Sequence, residues 1–208
     1  MRLAAAILAA WFGTIGSFAA WGAAIPDDAW QWRRTLTREG QAVWGLNAPI
    51  SDFGAQIHAE SAWRPNARSP VGAFGLAQVM PATGEWLAGA YPSLGPKAQP
   101  ASPAWAIRAL VTYDLHIWES MRADDDCNRM AKTLSGYNGG PGWVDRDERL
   151  AASKGLDPLL WFGHVETVNS GRSAANWKEN RGYPVRILIR LSPVYVRADW
   201  GPAMCNDF

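Results

Sequence analysis

The chain has 208 residues and nearly balanced charge, 20 Lys and Arg against 19 Asp and Glu, for a net +1. That length suits one catalytic domain with a real core plus an N-terminal appendage, and the balance argues against a nucleic-acid binder or a receptor for strongly acidic ligands. Thirteen tryptophans stand out beside 20 glycines and 14 prolines: indoles fill cores, and exposed ones make flat platforms for sugar rings.

From Leu3 to Pro26 there is no charged residue, with Arg2 before the stretch and Asp27-Asp28 after it. About twenty such residues span a bilayer as a helix. Half of them are Ala or Gly, so the segment is only marginally hydrophobic. Three readings fit: a cleaved signal peptide with small residues at Gly22 and Ala24, a permanent single-pass anchor, or a weak anchor that leaves the membrane intact. All three export the rest of the chain, so residues 1–26 are read as a signal-anchor or transmembrane segment.

Residues 27–50 read as a linker helix, Ala29 to Trp44, with Trp30, Leu36, Val43 and Trp44 inward. Ser51-Asp52 then offers N-cap chemistry to a helix from Asp52 to Ala62, on which Phe53, Gln56, Ile57 and Glu60 share a face. Arg64 to Gly75, with two prolines and two glycines, reads as an ordered loop or tiny hairpin. Pro81 restarts a helix through Trp86 and Leu87, and the segment from Leu94 to Pro103 is loop. The next helix runs from Ala104 to Met121, with Trp105, Leu110, Tyr113, Ile117 and Met121 at helical spacing, and is the expected buried centre. Asp124-Asp125-Asp126 read as acids at the N-terminus of a helix Cys127 to Leu134, because the other oxygen ligands of a calcium loop are missing. The glycine-rich run Ser135 to Trp143 is expected to leave the helix. Pro158 to Ser170 and Ala174 to Arg190 supply two more helices, with Pro184 either kinking the second or marking a boundary in it. No stretch alternates with period 2, so the chain is mainly α with a small irregular or hairpin insert. Cys127 and Cys205 fit one disulfide or two buried thiols equally well. His58, His116 and His164 are scattered and read as structural or solvated, and no metal or other cofactor is expected.

Glu60 is the candidate for chemistry. Phe53, Ile57, Trp63, Phe74 and Met80 are positioned in sequence to desolvate it, and desolvation lifts a carboxylic acid toward neutrality and makes it a general acid. Glycosidases commonly pair such an acid with a second carboxylate. Asp52, Glu85 and Asp114 are possible partners, yet none sits in a comparable loop. A nucleophile elbow and a phosphate-binding loop are both missing from the sequence.

The run Glu60-Ser61-Ala62-Trp63-Arg64-Pro65-Asn66-Ala67 with Ser69, followed by Gly72-Ala73-Phe74-Gly75-Leu76-Ala77-Gln78-Val79-Met80-Pro81-Ala82-Thr83, resembles the first two motifs of the soluble lytic transglycosylase domain, a goose-lysozyme-like family. Tyr137-Asn138-Gly139-Gly140 resembles the third motif and Glu179-Asn180-Arg181-Gly182-Tyr183-Pro184 the fourth. The resemblance implies a lysozyme-like fold, α+β in the sense of that family, over residues 51–208. It implies cleavage of peptidoglycan glycan strands between N-acetylmuramic acid and N-acetylglucosamine, with Glu60 as acid and then base and a 1,6-anhydro ring as product. It also places Ser61, Gln78, Met80, Tyr137, Asn138 and Tyr183 at the glycan.

Ala77 stands where the family commonly has methionine, and Gly136 where it has alanine. Glu166-Thr167 competes with Glu179 for the start of the fourth motif. The Ala/Gly-rich N-terminus resembles that of phage endolysins of the signal-anchor-release type. That likeness implies a monomer exported to the periplasm, first tethered to the inner membrane by residues 3–26 and then released to lyse the host. A bacterial wall-remodelling enzyme, a hydrolytic muramidase on the same fold, and a non-catalytic glycan-binding module are the alternatives.

Overall fold

A computed structural model describes residues 24–205. The expected membrane segment, residues 1–26, lies almost wholly outside them. Among the described residues no helix is long and apolar enough to cross a membrane.

A 3-10 turn, Asp27–Trp32, leads into α1, Arg33–Trp44, and then come α2, Ile50–Ser61, α3, Pro81–Ala90, and α4, Pro103–Ser120. They are followed by α5, Asp126–Gly139, α6, Pro141–Ser153, α7, Ala174–Pro184, a π-helical stretch Val185–Leu191, and α8, Ser192–Arg197. The mainly helical expectation holds. The β contribution among the described residues is two isolated bridges in the loop after α2, Arg68 with Phe74 and Phe74 with Val79. The insert is therefore the small irregular hairpin expected, without a strand.

The described residues form two compact units, residues 24–115 with 186–205, and residues 116–185. In the first, α2 is packed against α1 and α8, and its residues from Ile50 to Ile57 are all buried. Gly54 makes one of these contacts possible, since a Cβ there would stand 2.8 Å from Cδ1 of Tyr195. Trp63, Tyr195 and Trp200 form an aromatic cluster with centroids 4.8–5.5 Å apart, and the Trp63 indole N–H donates to the Tyr195 hydroxyl at 2.7 Å. The expected N-cap at Ser51-Asp52 is not used. Pro49 precedes the first turn, and both side chains turn to the far end of the chain. The Ser51 hydroxyl donates to the Gly201 carbonyl at 2.6 Å, and Asp52 accepts from the Ser192 hydroxyl at 2.5 Å and from the Met204 N–H at 2.8 Å.

In the second unit α5 packs on α6 and α7. Asp147, fully buried, is ion-paired with Arg172 and, at 2.7 Å, with Arg181. Burial alone would raise this carboxyl, but the bonds from Arg181, Ser170 and Arg172 outweigh it and hold it below the usual range. Lys132, also fully buried, spends its ammonium on the carbonyls of Arg122 and Pro158, at 2.6 Å each, and on Glu148 at 2.7 Å.

Two sequence expectations fail in this unit. The run from Ser135 does not leave the helix: α5 continues to Gly139 and breaks only at Gly140, with φ 93°. Pro141 then opens α6, a helix the sequence reading left out. Pro158 to Ser170 is not a helix but a set of turns with one 3-10 turn, Val165–Thr167. There the N–H groups of Trp161 and Phe162 bond to the Asn128 side chain, so the local bonds of a helix are replaced by a long-range one. Pro184 ends the α-geometry of α7, as expected of a residue without an N–H. Both cysteines are disulfide-bonded.

Candidate functional site

Asp52, Gln56 and Glu60 recur every fourth residue along one face of α2. The first two are fully buried, and Glu60, in the last turn, is half-buried. Asp114 of α4, also fully buried, meets this face: the Gln56 amide donates to its Oδ1 at 3.3 Å. Burial pushes the Asp114 carboxyl well up; the Gln56 bond works against this, and the charges of Glu60 and Asp52 add to the rise. Burial likewise pushes Asp52 to about 6, against the lowering effect of Ser192 and Met204. Of the three carboxylates weighed as partners of Glu60, Asp114 is thus within its electrostatic reach, and both Asp114 and Asp52 are sealed from solvent. Neither can touch a sugar or hold an attacking water. Glu85, the third, is exposed on α3. Oδ2 of Asp114 and Oε1 of Gln56 are both buried without a hydrogen-bond partner. A proton on Asp114 is the arrangement that spares this pocket an unpaired charge.

The turn after Glu60 is strained. Ala62 and Trp63 both adopt left-handed backbone, φ 50° and 62°, which costs a non-glycine residue roughly 1–2 kcal/mol. The strain is held by Trp63, fully buried and bonded to Tyr195. The Tyr195 hydroxyl in turn pairs with Nδ1 of His58 at 3.2 Å. Burial, with help from the charge of Arg186, lowers His58 to about 4, so its ring is neutral near pH 7. Ser61 is nearly buried, and its hydroxyl donates back to the Ile57 carbonyl at 3.3 Å.

The loop that follows closes on itself. Gln78, at φ 46°, donates from its amide to the carbonyls of Ala67, 3.1 Å, and Gly75, 2.9 Å. Gly75 at φ 82° cannot be another residue, since a Cβ there would lie 2.1 Å from the Pro100 carbonyl oxygen. Met80, partly exposed, is the residue on which α3 begins, and Ala77 is fully buried.

Tyr137 and Asn138 lie in the last turn of α5, and Tyr183 lies near the end of α7. Both tyrosines are buried, with 8% and 9% of their surface exposed. Asn180, which sequence reasoning did not single out, organises this pair of helices. Its amide donates to the Ser135 carbonyl at 2.9 Å and to the Asn138 side chain at 3.1 Å, and its oxygen accepts from the Ser135 hydroxyl at 2.8 Å. Its place in the fourth motif was the available signal. Glu166 accepts from the Gly163 N–H at 2.8 Å, whereas Glu179 is half-buried on α7. Glu60, Ser61, Gln78 and Met80 thus belong to one unit, and Tyr137, Asn138 and Tyr183 to the other.

The profile of the family described as "Transglycosylase SLT domain" matches residues 49–159, more than half of the chain and all of the first three motifs. This protein belongs to that family. The SLT domain is 33% identical over 110 residues to membrane-bound lytic murein transglycosylase F of Shewanella halifaxensis, covering 52% of this chain and 22% of that one. It is 31% identical over 146 residues to the soluble lytic murein transglycosylase of Escherichia coli K12, covering 69% and 20%. The chain therefore spans about a fifth of the length of these relatives. Among solved structures, the 70 kDa soluble lytic transglycosylase of Escherichia coli superposes with TM-score 0.60 at 24% identity, over 83% of this chain and 25% of that one. An inactive mutant of the lytic transglycosylase Slt of Pseudomonas aeruginosa superposes with the same score and identity, over 84% and 25%. At that identity the likeness establishes the shared SLT fold.

Proposed function

We propose that this SLT domain is a peptidoglycan lytic transglycosylase in which Glu60 acts without a second carboxylate. The observation that carries the reading is the environment of Glu60: it reaches solvent, while Asp52 and Asp114 beside it are sealed. One carboxyl must then serve both steps. Glu60 protonates the glycosidic oxygen, and the bond from that oxygen to C1 of the muramoyl residue breaks. The departing N-acetylglucosamine end keeps the proton as a hydroxyl. The acetamido oxygen of the muramoyl residue supports C1 while its C6 hydroxyl attacks. The hydroxyl proton passes to the Glu60 carboxylate, a 1,6-anhydro ring closes, and no water is consumed. The names of the relatives, lytic murein transglycosylases, support the substrate class. Ser61, Gln78, Met80, Tyr137, Asn138 and Tyr183 are proposed to hold the glycan. Residues 51–208 are the proposed catalytic domain.

Mass analysis of products from purified sacculi tests this. Anhydro-muropeptides, lighter by one water than the hydrolysis products, are expected; reducing ends alone would assign the chain to the hydrolytic muramidases.

The uncharged, Ala/Gly-rich stretch from Leu3 to Pro26 supports a physiological role as an exported phage endolysin, tethered to the inner membrane and then released as a monomer. Fractionation of induced cells over time checks this: the protein moves intact from membrane to periplasm as lysis begins. A chain that stays in the membrane, or one lacking its first residues, removes the release step.

A further inference from the structure

Trp86 stands out from α3 with 44% of its surface exposed. Its neighbours one turn away on that helix are Ala82, Thr83, Gly89 and Ala90, all too short to cover an indole, and a Cβ at Gly89 would meet nothing within 4 Å. The ring is nonetheless fixed. Tyr91 meets it edge-to-face with centroids 6.2 Å apart, and Tyr113 does so at 5.9 Å. Two aromatic side chains thus brace a third that keeps 44% of its surface in water, the reverse of what burial of apolar area favours.

The position is also informative. α3 starts immediately after Met80, and six residues of helix carry Trp86 about 9 Å along the axis from it, the scale of a short saccharide. On the other side, Tyr113 directly precedes Asp114, whose carboxyl feels the charge of Glu60. A pyranose ring presents an apolar face of axial C–H groups, which an indole matches in size and flatness. Trp30, equally exposed at 45%, differs in that it leans on Trp200 of the core cluster at 5.5 Å.

We propose that Trp86 is a sugar-stacking position, on which a pyranose ring of the glycan strand rests away from the bond being cleaved. The inference rests on the peptidoglycan reading above. It adds a binding contact and leaves the chemistry to Glu60.

The test is steady-state kinetics on soluble glycan strands of graded length with the full chain and its Trp86→Ala and Trp86→Phe variants. The Ala variant is expected to raise KM several-fold, up to about tenfold, with kcat unchanged, and the effect should fade on the shortest strand that is cleaved. The Phe variant should keep most of the affinity, since a flat apolar face remains. In a Glu60→Gln background, which binds without turnover, the same ratio should appear as a change in Kd. An unchanged KM in the Ala variant, a Phe variant as weak as Ala, or a fall in kcat at constant KM overturns the proposal while wild-type turnover leaves the peptidoglycan reading standing. A wild-type chain that releases no sugar from sacculi removes that reading and this position with it.

Discussion

Glu60 sits between two kinds of environment, solvent in front and buried carboxyls behind. Replacing it with Gln keeps the volume and removes the proton donor. Turnover of sacculi should fall by roughly 10²–10⁴-fold, the usual worth of a general acid, with the thermal melt unchanged; a variant that clears walls at the wild-type rate would dismiss Glu60. A second prediction concerns the turn beyond it. In Tyr195→Phe the Trp63 indole loses its acceptor while remaining buried, which should cost about 1–3 kcal/mol of stability. The same substitution in a Trp63→Phe background should cost clearly less, because no donor is then stranded. Additive losses in denaturant melts would show that the bond does not secure the turn.

At the level of elements, the short loop and the helices were readable to different degrees. α2, α3 and α4 announced themselves through apolar spacing and through Pro81 and Pro103 at their starts. The chain from Ser135 to Gly139 did not, because its three small or glycine residues look like helix breakers. They are helical for tertiary reasons: a Cβ on Gly136 would approach Ile117 Cγ2 to 2.9 Å, and one on Gly139 would approach Asn180 Nδ2 to 2.8 Å. Those glycines serve packing, which a local pattern cannot express. Gly139→Ala should therefore push Asn180 off Ser135 and Asn138, destabilising the protein by about 1–3 kcal/mol despite the better helix propensity of alanine. A variant melting above wild type would contradict that account. In the candidate site, the motifs exposed Glu60 and the loop, whereas the burial of Asp52, Gln56 and Asp114 needed the fold, since acidic and amide side chains in a sequence give no sign of being inside.

Across the whole molecule, the shifted groups oppose each other in mild acid. Folded Asp52 holds its proton up to about 6, whereas an unfolded aspartate loses it near 3.9. The folded state binds more protons in that window, so stability falls as pH rises through it, by about 3 kcal/mol at most. Asp114 acts in the same direction. His58, neutral in the fold down to about 4, is protonated near 6.5 when unfolded, so its contribution falls as pH drops from about 6.5 toward 4. The two slopes should separate on mutation. Between pH 4.5 and 7.5, Asp52→Asn should gain stability with rising pH relative to wild type, and His58→Gln should lose it. Melts in which both variants shift the slope the same way would refute the assignment.

The bonds at the start of α2 have a consequence for the order in which the protein is made. Ser51 and Asp52 bond to Gly201 and Met204, partners 150 and 152 positions later in the chain. The helix bearing Glu60 therefore gains its first-turn partners only after residues near 200 have left the ribosome and, in an exported chain, crossed the membrane. A partly translated or partly translocated chain carries the acid on an unfinished helix. The segment from Ser192 to Met204 thus acts as a latch, delaying assembly of the acid-bearing helix until that segment has itself been made and delivered.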